Sequence, residues 1–122
     1  MHVLGIDAGG SKTVAWLADL DGQLVGEGRA GGANLHGAGE LGTEKTLFEV
    51  TQSAVGGRDL WPEVVCVGMA GMDRASDESV VRAILRRLGF RGQAFAVNDA
   101  LIALVAGADE EPGVVIIAGT GS

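Results

Sequence analysis

Residues 3–30 read VLGIDAGGSKTVAWLADLDGQLVGEGRA. Three short runs of strand-forming residues, Val3 to Ile6, Val14 to Ala18 and Leu24 to Arg29, are separated by tight, glycine-bearing connections. Asp21-Gly22 between the second and third runs predicts a type I′ hairpin turn, because that turn needs positive φ, which glycine supplies and aspartate tolerates. The chain therefore opens as an antiparallel meander.

Downstream the pattern changes to alternation of helix and strand. A Gly-rich loop from Gly31 to Gly39 leads into a helix over Glu40 to Val55, where Leu47, Val50 and Ala54 recur at helical spacing and Gly56-Gly57 stops the run. Glu63 to Ala70 reads as a strand buried on both faces of a sheet. Ser76 is expected to cap the next helix. Asp77 and Glu78 favour its first turn, Val81, Ile84, Leu85 and Leu88 give an apolar face, Arg86 and Arg87 suit the negative end of its dipole, and Gly89 takes the C′ position. Gln93 to Val97 predicts a strand, Ala100 to Ala106 a short buried helix, and Val114 to Ala118 a last strand. The order β-β-β-α-β-α-β-α-β is that of an α/β domain with a mixed sheet flanked by helices, the ribonuclease-H-like half of an actin-type fold. Val3 to Ser11 (VLGIDAGGS) and Val114 to Ser122 (VVIIAGTGS) are alike, each an apolar strand delivered into a Gly and hydroxyl turn. A duplicated, two-lobed architecture is expected, with residues 1–111 forming the N-terminal lobe and 112–122 the first strand and phosphate loop of a truncated second one.

Composition narrows the function. Of 122 residues, 47% are hydrophobic and 20% charged, the balance of an ordinary globular domain. A net charge of −7 with only nine Lys and Arg disfavours wrapping nucleic acid or coating an anionic membrane, both of which need clustered cations. No stretch approaches the ~20 consecutive apolar residues that span a bilayer, and the N-terminus begins a strand at once, so a cytoplasmic protein is expected. The single cysteine, Cys66, lies in an apolar run where a buried, inert thiol is the expectation.

Three turns carry chemistry. In Asp7-Ala8-Gly9-Gly10-Ser11-Lys12-Thr13 the glycines allow backbone N–H groups to converge on an anion, and the Ser11 and Thr13 hydroxyls add donors. Asp7 would be a poor phosphate neighbour without a divalent cation between them, which makes it a candidate Mg²⁺ partner through water. The bland alternative is a Gly-rich hairpin with Asp as turn former. It is no Walker A loop, since Ser11 intrudes between Gly10 and Lys12 and a strand follows. Gly37 to Gly42 satisfies G-x-G-x-x-G, but no βα strand precedes it. Asn98-Asp99 stands between a strand and a buried element, where Asp99 is either a helix cap or a general base facing the cleft at the strand ends. Gly119-Thr120-Gly121-Ser122 is either a plain turn or the second jaw of a phosphate clamp. His2 and His36 show no metal-ligand spacing.

Taken together and in order, GIDAGGSKT, VGMAGMDR, VNDALIALVAG and VVIIAGTGS resemble the BadF/BadG/BcrA/BcrD-type ATPases, and within them the N-acetylglucosamine kinase branch, over essentially the whole chain. The resemblance implies ATP and Mg²⁺ as cofactors. It puts Gly9, Gly10 and Ser11, with Lys12 and Thr13 adjoining, at the β- and γ-phosphates, Asp7 near Mg²⁺, and Gly119, Thr120 and Gly121 in a second phosphate motif. It makes Asp99 the catalytic base, with Asn34, Gly71, Asn98 and Asp99 at the sugar. The implied reaction is transfer of a phosphoryl group to a hydroxyl, the 6-hydroxyl first, of N-acetylglucosamine or a related amino sugar. The expected partners are a small sugar and a nucleotide, with a homodimer at full length and the 122 residues inactive alone. Ala70-Gly71-Met72-Asp73 departs from the Ser-Gly-Gly of many relatives, and His36 stands where an aromatic can occur, so the identity of the sugar stays open. A glucose-type kinase of the ROK family and an ATPase that activates a partner enzyme are the alternatives.

Overall fold

The computed structural model describes residues 2–33, 39–69, 75–90, 93–97, 101–108 and 111–118. The meander is present: β1 (His2–Ala8), β2 (Lys12–Asp19) and β3 (Leu24–Gly31) pair in succession, each antiparallel to the one before. α1 (Gly39–Val55), β4 (Val64–Met69), α2 (Ala75–Arg87) and β5 (Gln93–Val97) follow. β4 pairs parallel to β1, and β5 parallel to β4, giving the five-stranded order β3-β2-β1-β4-β5.

Residues opposite one another in a ladder share a face of the sheet. Leu4, Ile6 and Ala8 of β1 register with Leu17, Ala15 and Thr13 of β2 and with Val65, Val67 and Met69 of β4. All of these are buried, and together with Leu47, Val50 and Ala54 of α1 and Val81, Ile84 and Leu85 of α2 they make one core. Both helices therefore cover the same face. Arg87 of α2 ties them together at the surface, donating to Glu44 at 2.6 Å and to Glu40 at 3.0 Å.

The end of α2 has the expected form. The Phe90 N–H donates to the Leu85 carbonyl at 3.1 Å and the Gly89 N–H to Arg86 at 3.2 Å, the paired bonds of a Schellman cap with Gly89 at C′. Its start differs from expectation: Ser76 lies inside the helix, whose first residue is Ala75. The hairpin between β2 and β3 also differs. The Asp19 N–H donates to Gln23 at 3.1 Å, so the loop has three residues, Leu20 to Gly22, with Gly22 at φ 85°. The Asp19 carboxylate decides this, accepting the Asp21 and Gln23 N–H groups at 2.9 and 3.0 Å and stabilising the wider turn.

α1 lies directly on β3. A Cβ on Gly26 would overlap the Ala54 carbonyl, and one on Gly28 would overlap the Val50 carbonyl and come within 2.6 Å of the Ala54 nitrogen. Two helix turns thus rest on bare strand backbone. Gly28→Ala is expected to push α1 off the sheet and destabilise the fold by about 1–3 kcal/mol, read from the midpoint of urea unfolding.

The last apolar segments correct the sequence reading. Residues 101–106, expected within a helix, belong to β6 (Leu101–Ala108), which forms an antiparallel two-stranded sheet with β7 (Glu111–Ala118). A short, wholly apolar run carries no period that separates buried helix from buried strand, and here pairing with the β-branched run Val114 to Ile117 decides it. β6 lies against both β1 and β4, two interior strands. On the sheet face opposite the helices, Gly5 of β1 is in register with Cys66 of β4. Cys66 is buried on that face, and desolvation pushes its thiol up to about 11, as expected of an inert thiol. Among the described residues no helix is long and apolar enough to cross a membrane.

Candidate functional site

The sheet topology sends four strand ends to one edge. β1, β4 and β5 are mutually parallel, and β3 runs with them because two antiparallel steps separate it from β1. Ala8, Gly31, Met69 and Val97 are accordingly carboxyl-terminal strand residues on the same side of the sheet. In open α/β sheets that edge is where ligands bind. The segments that follow these strands in sequence carry Gly9 to Thr13, Asn34, Gly71 and Asn98-Asp99.

The first of these turns is described in full. The Gly9 N–H donates to the Lys12 carbonyl at 2.9 Å, so Gly10 and Ser11 form the tip of a tight β1–β2 turn. Gly10, Ser11 and Lys12 are exposed, and a Cβ placed on Gly10 would meet nothing within 4 Å. An anion can therefore approach the tip unobstructed, with the Ser11 hydroxyl and the Lys12 ammonium at hand. Asp7 is half-buried, one residue before the end of β1 and on the face opposite the helices. Burial raises its carboxyl above the ordinary aspartate value, and the positive charge of Lys12 partly offsets this. A partly desolvated carboxylate beside an anion-accepting turn is suited to a divalent cation that keeps most of its waters.

Thr13 is placed differently from Ser11. It is fully buried on the helix-covered face, in register with Ala8, and its hydroxyl has no hydrogen-bond partner. Strand alternation explains this: Thr13, Ala15 and Leu17 all point to the core. Its hydroxyl is thus not presented with that of Ser11 at the tip of the turn. Thr43 on α1 shares this condition, a buried hydroxyl without a partner.

Gly32 and Ala33 are the residues the motif reading missed. The Ala33 N–H donates to the Gly9 carbonyl at 2.9 Å, and a Cβ on Gly32 would overlap the Gly10 carbonyl group, its carbon at 2.6 Å. The Gly32 carbonyl accepts the Thr46 hydroxyl of α1 at 3.3 Å. In sequence the paired glycines where the third strand ends are those of an ordinary loop, and no motif singles out Gly32. Asn34, Gly71, Asn98, Asp99, Gly119, Thr120 and Gly121 lie outside the described residues.

Comparison with known proteins identifies the family. The model of the BadF/BadG/BcrA/BcrD ATPase family matches residues 4–122. An N-acetylmuramic acid/N-acetylglucosamine kinase of Clostridium acetobutylicum is 36% identical over 99% of this chain and 40% of its own length. An N-acetyl-D-glucosamine kinase of Dictyostelium discoideum is 30% identical over 97% of this chain and 41% of its own. The chain thus spans about two fifths of the length of these curated relatives. Among solved structures, a Porphyromonas gingivalis protein assigned as an N-acetylglucosamine kinase superposes with a TM-score of 0.69 at 15% identity, covering 92% of this chain and 46% of that one. At that identity the likeness is one of fold.

Proposed function

This chain belongs to the BadF/BadG/BcrA/BcrD ATPase family, and from that premise we propose that it is the phosphate-gripping lobe of an ATP-dependent kinase acting on N-acetylglucosamine or a related amino sugar. One structural observation carries the reading. The carboxyl ends of β1, β3, β4 and β5 share an edge, so every segment bearing a candidate site residue up to Asp99 departs from one side of the sheet. The curated relatives, both kinases of N-acetylated amino sugars, supply the substrate class.

In this reading the exposed Gly9 to Lys12 turn holds the β- and γ-phosphates through backbone N–H groups and the Ser11 hydroxyl, and Lys12 balances their charge. Asp7 would hold Mg²⁺, through water. When bound, the ion neutralises charge on the transferring group. Asn34, Gly71 and Asn98 hold the sugar. Asp99 takes the proton of the acceptor hydroxyl, the 6-hydroxyl first, as that oxygen bonds to the γ-phosphorus and the bond to the ADP oxygen breaks. Gly119, Thr120 and Gly121 close the clamp from a second lobe that residues 112–122 begin. Dimerisation and a cytoplasmic setting belong to the same proposal.

The test is ATP-dependent phosphorylation of N-acetylglucosamine, N-acetylmuramic acid, glucosamine and glucose by the full-length protein, with residues 1–122 assayed in parallel. Sugar-dependent ADP release with an N-acetylated amino sugar as best acceptor, and none from residues 1–122 alone, is the expected result. Phosphorylation of glucose in preference to all others would favour the glucose-type alternative. ADP release indifferent to every sugar would favour a partner-activating ATPase. For that role Cys66 is an unsuitable cluster ligand, because its thiol is buried in an apolar strand.

A further inference from the structure

We propose that Gly32 is a positioning residue that locks the phosphate turn to the segment leading to the acceptor site, so that donor and acceptor are held in one frame. The inference deepens the kinase reading, on which its acceptor half rests; its nucleotide half needs only the turn.

Three contacts converge on two residues. The Gly9 peptide is used on both sides: its N–H donates within the turn to Lys12, and its carbonyl accepts from Ala33, each at 2.9 Å. Gly32 presses its bare Cα against the Gly10 carbonyl, where any side chain would overlap. From the other side Thr46 of α1 donates to the Gly32 carbonyl at 3.3 Å, and Ala33 is 1% exposed, so the pair is anchored to the core. The turn tip is otherwise open: a Cβ on Gly10 would meet nothing within 4 Å, and Ser11 and Lys12 are exposed. The position of the Gly9-Gly10 peptides is thus set by residues 32–33, the residues immediately before Asn34. Displacement of reacting groups by about 1 Å costs on the order of 100-fold in rate, so a linkage of this kind bears directly on turnover.

Adjacent glycines supply the controls. Gly31 has open space where a Cβ would be added and no positive φ, so Gly31→Ala leaves the lock intact. Gly28→Ala disturbs the packing of α1 on β3 three strand positions before Gly31, without the overlap at Gly10, and serves as a destabilised control. In the full-length protein, Gly32→Ala is expected to weaken binding of a Mg²⁺-bound non-hydrolysable ATP analogue by about tenfold and to lower kcat by about 10- to 100-fold for the best sugar. Thr46→Val should move both values in the same direction by less. Gly31→Ala should match the wild type, and Gly28→Ala should lower the unfolding midpoint while moving nucleotide affinity and kcat no further than Thr46→Val does, since it reaches Gly32 only through α1. Calorimetry of analogue binding, kinetics and urea unfolding of the four variants provide the comparison. If Gly32→Ala binds the analogue as Gly31→Ala does, or loses stability alone, the lock is wrong. A wild type that binds nucleotide but phosphorylates no sugar overturns the kinase reading instead, and the nucleotide arm still decides the role of Gly32.

Discussion

Replacing Asp99 by Asn in the full-length protein is expected to lower kcat by about 100-fold or more, with nucleotide affinity nearly unchanged and sugar affinity retained. Asparagine keeps the shape and the hydrogen-bonding reach of the side chain but cannot take a proton from the attacking hydroxyl. Sheet topology sets where Asp99 leaves the fold's described strands. β5 ends at Val97, in register with the last positions of β4 and parallel to β1, so Asn98-Asp99 follows the strand whose carboxyl end shares the edge with the phosphate turn. The competing role, a helix cap, predicts another outcome, since loss of a cap costs about 1 kcal/mol and leaves chemistry alone. That role is already weakened: residues 101–108 form a strand, leaving no helix at Leu101 to cap. Steady-state kinetics with urea unfolding separates the two. A variant with near-normal kcat and reduced stability would remove Asp99 from the mechanism.

How much of this was legible in the sequence follows from which interactions are local. The meander, the two flanking helices and strands β4 and β5 were readable because each is specified by its own periodicity and end signals; Val81, Ile84 and Leu85 predicted the buried face of α2 and Gly89 its cap. The Asp19 turn escaped because a carboxylate two residues before Asp21-Gly22 outcompetes the two-residue turn that the dipeptide favours. β6 escaped for a non-local reason, pairing with β7, about which an unpatterned apolar run is silent. At the site, the glycines, Ser11 and Asp7 of the first turn were legible as a strand-to-turn anion motif. The motif alone makes Thr13 a donor beside Ser11, whereas alternation with the buried Ala15 and Leu17 turns its side chain to the core. Gly32 could not be found by motif at all. Its importance arises from a contact with Gly10, a residue 22 positions earlier, that only the folded sheet creates.

Asp7→Asn should separate catalysis from stability in the opposite way to an ordinary turn mutation, by lowering activity while leaving the fold as stable as before or more so. The carboxyl of Asp7 is raised above its ordinary value, chiefly by desolvation and against the pull of Lys12. A folded-state value above the unfolded one means that the native state binds the proton more tightly. On raising pH, the unfolded chain therefore ionises first, and stability contributed by the protonated carboxyl is lost between the unfolded value near 3.8 and the raised native one. At neutral pH desolvation of the charge, only partly offset by Lys12, is a net cost to the fold, and asparagine removes it. In the proposed reading Asp7 bears that cost for the Mg²⁺ it would hold beside the anion-accepting turn. Loss of Asp7 from a Mg²⁺ site should reduce kcat/KM on the order of 100-fold, because metal-ion stabilisation of the transferring charge is a matter of several kcal/mol. The measurement is a pair of profiles, thermal unfolding and kcat/KM against Mg²⁺ concentration, taken for both proteins at pH 7, with unfolding repeated below pH 3.8. The expected result is an unfolding temperature for the variant equal to or above that of the wild type at pH 7, with that difference gone at low pH, and a Mg²⁺ requirement that is greater or no longer saturable. An Asp7→Asn protein that unfolds at lower temperature and keeps its Mg²⁺ dependence would make Asp7 a turn former and leave the cation to other residues.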